Sequence, residues 1–171
     1  MARPIVETSR ATAQSAAEIS RLLEANAIAR GGQLYGDWSE QVIARWLNDG
    51  MQAFVARVDD AVKGVLLTSE PHYLKSAPAI RMLETIEDQG DFYVYGPVCI
   101  AVDMRGAGML AKLCEASRFF YGRRRAALFI NQKNDTSLAA HARLGLVRLG
   151  IFQAAGQDYF IFVSDDIRQD R

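Results

Sequence analysis

The chain has 171 residues, of which 50% are hydrophobic and 23% are charged. This apolar content is too high for a disordered protein, and the length suits one packed domain, which we expect to span residues 1–171. Twenty basic residues balance twenty acidic residues. The balance argues against a protein whose main partner is nucleic acid.

Cysteine and hydropathy patterns indicate a reducing compartment. Cys99 and Cys114 both lie in apolar stretches, which predicts buried free thiols and not a disulfide framework. No uncharged apolar run approaches the roughly 18 residues needed to span a bilayer, and the first residues lack an apolar signal core. We therefore expect a cytoplasmic location and no membrane partner. His72 and His141 show no metal-ligand spacing with the cysteines, so we expect no metal.

The first part of the chain predicts a strand, two helices and a hairpin. Apolar residues at helical spacing follow a short strand, and the pattern then becomes strand-like. Both helix starts carry capping-box pairs, Ser15 with Glu18 and Asp37 with Glu40. In chain order the elements are a strand over 5–11, helices over 12–30 and 37–48, and strands over 53–58 and 62–68 around a turn at 59–60.

The second part of the chain predicts alternating strands and helices. Ile80, Leu83 and Ile86 would share the buried face of one helix, and Pro97 predicts an irregular strand because it cannot donate a ladder hydrogen bond. The whole order predicts a mixed α/β sheet of about seven strands with helices on both faces. The further elements are a helix over 76–87, a strand over 91–100, a helix after 105–108, a strand over 126–130, a helix over 134–145, and a hairpin of 147–152 and 158–163.

The most informative stretch is Arg105-Gly106-Ala107-Gly108, a glycine turn between an apolar strand and a helix. Glycine permits positive φ and close backbone approach. The start of a helix presents unpaired N–H groups and the positive end of the helix dipole. The turn therefore predicts a phosphate or pyrophosphate site, with Arg105 as an added contact. A plain strand-to-helix turn is the alternative.

Two common phosphate-binding motifs do not fit this turn. A P-loop ends in Gly-Lys-Ser/Thr, whereas Gly108 is followed by Met109. The dinucleotide fingerprint matches Gly106, Gly108 and Ala111, but it normally follows the first strand of the fold. It also needs an acidic residue about 20 positions on, where residues 129–132 read Phe-Ile-Asn-Gln.

A third motif does fit. Residues 100–108 resemble the acetyl-CoA motif of the GNAT N-acetyltransferase superfamily, a strand end followed by Gln/Arg-x-x-Gly-x-Gly/Ala. Arg105 and Gly108 match the motif, and Leu110 stands where Gly or Ala is usual. Downstream, residues 134–146 resemble the family segment Asn-x-x-Ala-x-x-x-Tyr-x-x-x-Gly-Phe. Its Asn and Gly are matched, and the departures are Ser137, His141 and Leu146.

The resemblance covers nearly the whole chain and implies a single-domain GNAT fold whose fourth and fifth strands splay apart. It implies an enzyme that moves an acetyl group from acetyl-CoA to a primary amine by direct attack in a ternary complex. The acceptor would be a small-molecule or peptide amine. Dimers are frequent in the family, so a homodimer is one open state. The resemblance assigns to the coenzyme Val98, Cys99, Ile100, Arg105, Gly106, Ala107, Gly108, Met109, Leu110, Asn134 and Ser137.

His141 stands where the family has a tyrosine that is thought to protonate the departing thiolate. An imidazole can donate a proton as a phenol does, so the resemblance implies that His141 is the general acid. A histidine that only packs or caps the helix is the alternative. For the base we consider Tyr93 and Tyr95 as site residues, since both lie on one face of a predicted strand. The other candidates are Asp91, Tyr35, Asp37 and Glu40.

Two further alternatives stay open. A GNAT-fold module that binds acyl-CoA or a protein without turnover would carry the same motifs. Arg123-Arg124-Arg125 predicts a solvated helix end, or else a contact for the coenzyme 3′-phosphate. The acceptor itself cannot be read from the residues, and we expect loops 30–40 and 70–90 to select it.

Overall fold

The computed structural model describes residues 4–86 and 90–164. Within these ranges the helices are α1 (Ala16–Ala25), α2 (Glu40–Asn48), α3 (Ala77–Thr85), α4 (Met109–Tyr121) and α5 (Asp135–His141). The strands are β1 (Glu7–Arg10), β2 (Gln52–Val58), β3 (Ala61–Ser69), β4 (Phe92–Ile100), β5 (Arg125–Asn131), β6 (Leu146–Ala154) and β7 (Gln157–Ser164).

Across the described residues, seven strands form one sheet in the order β1-β2-β3-β4-β5-β7-β6. The pairs β1–β2, β2–β3, β5–β7 and β6–β7 are antiparallel, whereas β4 and β5 are parallel. The parallel register joins 92–94 to 125–127. The predicted mixed sheet of about seven strands is therefore confirmed. No helix in the described ranges is long and apolar enough to cross a membrane.

The described residues fall into two compact units. The first unit comprises residues 4–68 and 96–119. In it α1 and α2 pack on the strands through fully buried side chains, because their apolar residues recur at helical spacing. These side chains include Ile19, Leu23, Ile43, Val55 and Leu67.

The second unit comprises residues 69–86, 90–95 and 120–164. Here α3 packs on β5 and β6. The core contains Met82, Ile86 and Val94, and Tyr159 stacks on Phe152 with ring centroids 5.2 Å apart. This unit therefore has its own apolar core, distinct from that of the first unit.

Both hairpin turns form where the sequence predicts them. Asp59 and Asp60 have φ values of +49° and +64°, and Ala155 and Gly156 have +49° and +72°. Two successive residues in the left-handed region give the turn whose twist matches antiparallel strands. The irregularity predicted at Pro97 is also present, since Gly96 before it has a φ of +117°.

The capping boxes predicted for α1 and α2 are wrong. The side chains of Ser15 and Glu18 instead accept hydrogen bonds from Arg57 of β2. Arg57 donates to the Ser15 hydroxyl at 3.2 Å and to both Glu18 carboxylate oxygens at 3.1 Å. The second helix begins at Glu40, and the Asp37 carboxylate accepts from the amide of Ser39 before it. In each case a competing hydrogen bond replaces the local cap.

Other helix details also differ from the prediction. The first helix ends at Ala25, short of the predicted Arg30, and a separate 3-10 turn holds Ile28–Arg30. In α3 Ile80 is exposed, and Met82 occupies the buried face with Ile86. Glu87, the predicted end of this helix, lies outside the described residues.

In the arginine run at 123–125 Arg123 is exposed, as predicted for a solvated helix end, whereas Arg124 and Arg125 are half-buried. Arg124 donates to both carboxylate oxygens of Glu70 at 2.6 and 2.7 Å, to Asp91 at 3.0 Å and to the carbonyl of Phe92 at 2.9 Å. The hydrogen bonds from Arg124 hold the pKa of Glu70 below its usual range. Arg125 is the first residue of β5 and donates to the carbonyl of Ser164. The sequence does not reveal these partners because they are distant in the chain.

Candidate active site

The glycine turn, residues 105–108, lies directly before α4 in the first unit. Gly106 and Gly108 both have a φ of +79°, the left-handed region that favours glycine. A Cβ added at either position would meet no described atom within 4 Å, so backbone conformation and not crowding requires glycine there. All four residues are exposed, while Met104 and Met109 on either side are buried. The turn is thus anchored at both ends and open on its surface.

The start of α4 places backbone amides directly after the glycine turn. The Lys112 amide donates to the Gly108 carbonyl at 3.4 Å, as in the first turn of a helix. The amides of Met109, Leu110 and Ala111 precede that bond. N–H groups at this position lack intrahelical acceptors and carry the positive end of the helix dipole. Leu110, the departure from the family motif, is half-buried, and its role toward the coenzyme stays a prediction.

The two charged side chains beside the turn, Arg105 and Asp103, have different partners. Arg105 donates from Nη2 to Oδ1 of Asn26 at 3.1 Å, a contact across 79 sequence positions that no local pattern predicts. The side-chain Nδ2 of Asn26 in turn donates to the carbonyl of Leu22 near the end of α1. Asp103, in contrast, is ion-paired with Lys63 at 2.7 Å. Lys63 therefore compensates the negative charge of Asp103. Asn26 brings no negative charge to the Arg105 guanidinium.

The strand segment assigned to the coenzyme, Val98 to Ile100, lies in the same unit as the turn. The Cys99 side chain is buried, and its Sγ lies 3.7 Å from the carbonyl oxygen of Leu22. Val98 and Ile100 are half-buried. The roles of these three residues toward the coenzyme stay predictions.

The second unit brings Tyr95, Ser137 and His141 together, and we call these three residues the tyrosine–histidine cluster. The Oη of Tyr95 lies 3.2 Å from Nε2 of His141, and the Nδ1 of His141 lies 2.8 Å from the carbonyl oxygen of Ser137. The Ser137 hydroxyl oxygen lies 3.3 Å from the same Nδ1. His141 is 4% exposed and Tyr95 is 5% exposed. Burial lowers the pKa of His141 below its usual 6.5, and the hydrogen bond to the Ser137 carbonyl opposes that shift.

The start of α5 orients this cluster. The Asn134 side chain accepts from the amide of Ser137 at 3.1 Å and so caps the helix, as expected for the residue that opens it. His141 is the last residue of the same helix, one turn beyond Ser137. The sequence placed Asn134 and His141 on one predicted helix, but it did not reveal that Tyr95 contacts His141.

The remaining base candidates lie in other environments. Tyr93 is fully buried and stacks on Tyr121, with ring centroids 3.7 Å apart and planes at 9°. The structure therefore gives Tyr93 a packing environment. Asp91 is ion-paired with Arg124, and Tyr35 is 72% exposed. A catalytic role for any of them stays a prediction.

Both cysteines are buried free thiols, as the sequence predicts. Burial raises the pKa of Cys99 to about 11 and also raises the pKa of Cys114. Each therefore stays protonated at neutral pH, where a thiol is a poor nucleophile. Residues 4–86 and 90–164 contain no group of three histidine, cysteine, aspartate or glutamate side chains placed to hold a metal ion.

No protein-family model matches the sequence, and no curated protein matches it either. Solved structures do match: a GNAT-family acetyltransferase from Streptococcus pneumoniae superposes with a TM-score of 0.66 at 14% identity, over 94% of this chain and 99% of that one. The chain has the GNAT fold. An N-acetyltransferase from Staphylococcus aureus Mu50 gives a TM-score of 0.68 at 14% identity, over 94% and 98%. The ribosomal L7/L12 alpha-N-protein acetyltransferase, solved with coenzyme A, gives 0.66 at 15% identity, over 92% of each chain.

Proposed function

We propose that this protein is an acetyl-CoA-dependent N-acetyltransferase of the GNAT superfamily that acetylates a primary amine by direct attack. The observation that carries the proposal is the exposed glycine turn at the start of α4, with Gly106 and Gly108 both at a φ of +79°. This geometry suits a pyrophosphate. The GNAT fold supports acetyl-CoA as the ligand, since one of the similar structures was solved with coenzyme A.

The chain offers two sets of groups to the coenzyme. The amides of Gly106, Gly108, Met109 and Leu110 would bind the pyrophosphate, whereas the Ala107 amide donates to the Met104 carbonyl at 3.3 Å. Arg105 would add a charge that Asn26 orients without neutralising. The backbone of Val98, Cys99 and Ile100 would bind the pantetheine arm and direct amides at the thioester carbonyl. When bound, the coenzyme supplies an activated thioester. The protein therefore contributes binding, orientation and the groups that hold protons.

Direct transfer is favoured over an acetylated enzyme intermediate. A covalent intermediate would need an activated nucleophile. The two cysteines are buried and remain protonated, because burial raises the pKa of each thiol. The protonated state of both cysteines supports the proposal that the amine attacks the thioester itself, in a complex that contains both substrates.

We propose a primary amine as the acceptor, and two observations decide which primary amines to test first. Tyr35 in the loop after α1 is 72% exposed, and Trp38 donates to its carbonyl at 3.0 Å, so this loop presents an aromatic side chain to solvent. One similar structure acts on a protein α-amino group. A peptide α-amine therefore belongs first in a panel that also contains lysine side chains, polyamines, amino acids and aminoglycosides.

Two measurements test the proposal on the full chain. Calorimetry measures binding of acetyl-CoA, and a free-thiol assay measures release of coenzyme A with each amine of the panel. We expect binding at sub-millimolar concentration and amine-dependent thiol release. Binding without turnover on every amine would support a non-catalytic acyl-CoA-binding module. The absence of binding would falsify both functions.

A further inference from the structure

The tyrosine–histidine cluster has a defined hydrogen-bond direction. A carbonyl oxygen can only accept, so the 2.8 Å contact with the Ser137 carbonyl requires a proton on Nδ1 of His141. Burial lowers the pKa of this imidazole, so the ring is neutral near pH 7 and Nε2 carries a lone pair. Tyr95 must then donate its hydroxyl proton to Nε2 across 3.2 Å. The neutral ring accordingly offers no proton of its own to a substrate.

The same arrangement is ready to take one proton. If Nε2 gained a proton, both N–H groups of the imidazolium would already have acceptors, the Ser137 carbonyl and the Tyr95 oxygen. A buried charge is tolerated only where it is hydrogen-bonded in this way. The two rings meet edge to face at 81° with centroids 5.7 Å apart, which fixes Tyr95 against His141. No side chain has to move for the proton to cross.

We propose that Tyr95 and His141 act as a proton relay, in which Tyr95 meets the reacting groups and His141 acts only through Tyr95. The inference rests on the proposed acetyltransferase function. It places Tyr95 as the catalytic residue and makes His141 a positioning and proton-storing residue. This differs from the general-acid role that the resemblance implies for His141.

The relay balances the reaction. As the amine nitrogen bonds to the acyl carbon, Tyr95 accepts the amine proton on Oη and passes its own hydroxyl proton to Nε2 of His141. The C–S bond breaks with its electron pair on sulfur. His141 then returns its proton to Tyr95, and Tyr95 gives one to the thiolate. Both side chains end in their starting forms, and the net proton transfer is from nitrogen to sulfur.

The first test reads the hydrogen bond without turnover. The chain has only two histidines, so ¹⁵N NMR of the imidazole nitrogens resolves His141 once His72→Gln identifies the other ring. At pH 7 we expect His141 to be neutral with its proton on Nδ1, and Tyr95→Phe to shift the Nε2 resonance. A charged ring, a proton on Nε2 or an unshifted Nε2 in Tyr95→Phe would overturn the relay.

The second test uses kinetics with the best amine from the panel. Tyr95→Phe keeps the buried ring, and His141→Gln keeps a hydrogen-bond acceptor that cannot store a proton. We expect each to lower kcat at least about tenfold, with the KM for acetyl-CoA changed less than about twofold. The double variant should be no slower than the worse single variant, because both act on one path. The exposed His72→Gln is the matched control and should keep wild-type kcat.

The pH profile adds a readout that a packing role would not move. The groups that face the His141 ring are the Tyr95 hydroxyl from β4 and Ser137 from its own helix. We expect wild-type kcat to fall as pH drops through the lowered pKa of His141, and this limb to vanish in His141→Gln.

The outcomes separate the two proposals. Additive losses in the double variant, or wild-type kcat in a folded Tyr95→Phe, would overturn the relay while leaving the acetyltransferase in place. Thermal melts and circular dichroism identify a variant that fails to fold, and the NMR test on wild-type protein then decides the hydrogen bond. A wild-type protein that turns over no amine would remove the proposed function and the relay with it.

Discussion

The glycine turn and the tyrosine–histidine cluster represent opposite ways of building a site. The turn is a continuous, exposed piece of backbone, and its working groups are amides that any sequence of the right shape would supply. The cluster is buried, and its working groups are side chains from β4 and α5, 46 positions apart. We expect the backbone site to tolerate neutral side-chain changes but not a change of φ or a repelling charge. We expect the side-chain site to depend on the identity of each side chain.

The largest effect should come from a negative charge on the turn. Ala107 is exposed between the two glycines, so Ala107→Asp would place a carboxylate where the pyrophosphate is proposed to bind. We expect acetyl-CoA to bind about a hundredfold more weakly by calorimetry, because the carboxylate would repel the pyrophosphate at close range. Ala107→Asn has nearly the same shape without charge and should lose far less. Equal losses in the two variants would mean that phosphate does not bind there.

A backbone change should produce the next largest effect. Gly108→Ala introduces a Cβ at a φ of +79° and should weaken acetyl-CoA binding about tenfold as the turn changes shape. Gly122→Ala is the matched control, because Gly122 also has a positive φ of +64° and open space around the new Cβ. Both variants should lose about 1 kcal/mol of stability by thermal unfolding. A Gly122→Ala variant that also loses acetyl-CoA affinity would show that the effect is general strain.

A smaller effect should follow from removing the arginine beside the turn. Arg105→Gln deletes a charge but keeps an amide that can still reach Asn26, its partner at 3.1 Å. We expect acetyl-CoA affinity to fall about fivefold at low salt, and less at high salt, because the guanidinium is exposed and screened. Arg45→Gln, an exposed arginine on α2, serves as control. A loss that does not depend on salt would argue against a phosphate contact.

The smallest effect concerns stability and pH. The unfolded chain binds a proton on His141 near the usual pKa of 6.5, whereas burial lowers the folded pKa. Between these two pKa values the unfolded state holds more protons than the folded state. The free energy of unfolding is therefore highest above about pH 6.5, as far as His141 is concerned, and decreases as pH falls. We expect the melting temperature of wild-type protein to drop more between about pH 7.5 and 5.5 than that of His141→Gln. Equal slopes would mean that His141 does not titrate differently in the two states.

The comparison also explains which parts of the site the sequence reveals. The turn, the strand before it and the helix after it are adjacent in the chain, so their spacing predicts them together. Asn134 as a helix cap was predictable for the same reason. The Ser15–Glu18 capping box had the right spacing and still failed, because Arg57 lies across the unit and binds both side chains. A capping pair predicted from local spacing does not form where a distant charged group binds the same side chains.

The arginine run gives the same lesson in a different form. Three consecutive arginines after a helix predict solvent-exposed side chains. Arg124 instead donates hydrogen bonds to Glu70, Asp91 and a carbonyl of β4. The nearest of these partners is over 30 positions away in the chain. The helical spacing of Ile80 predicts a core position, but Ile80 is exposed because the buried face of α3 runs through Ala79, Met82 and Ile86. Periodicity predicts a helix more reliably than it predicts which side is buried.

The sequence by itself determined the element order, both hairpin turns and the glycine turn, since each depends on residues within a few positions and on the φ values that they allow. The charge balance is also read from the sequence, and it agrees with the proposal that an anion binds through backbone amides and not through a basic surface. Only the tertiary structure decided that Tyr95 meets His141, that the Ser137 carbonyl fixes the proton on Nδ1, and that Arg105 lies against Asn26. The first and the last of these contacts join residues on separate elements, whereas Ser137 and His141 lie on the same helix, α5. The chemistry of all three depends on burial and direction, which exist only once the chain has folded.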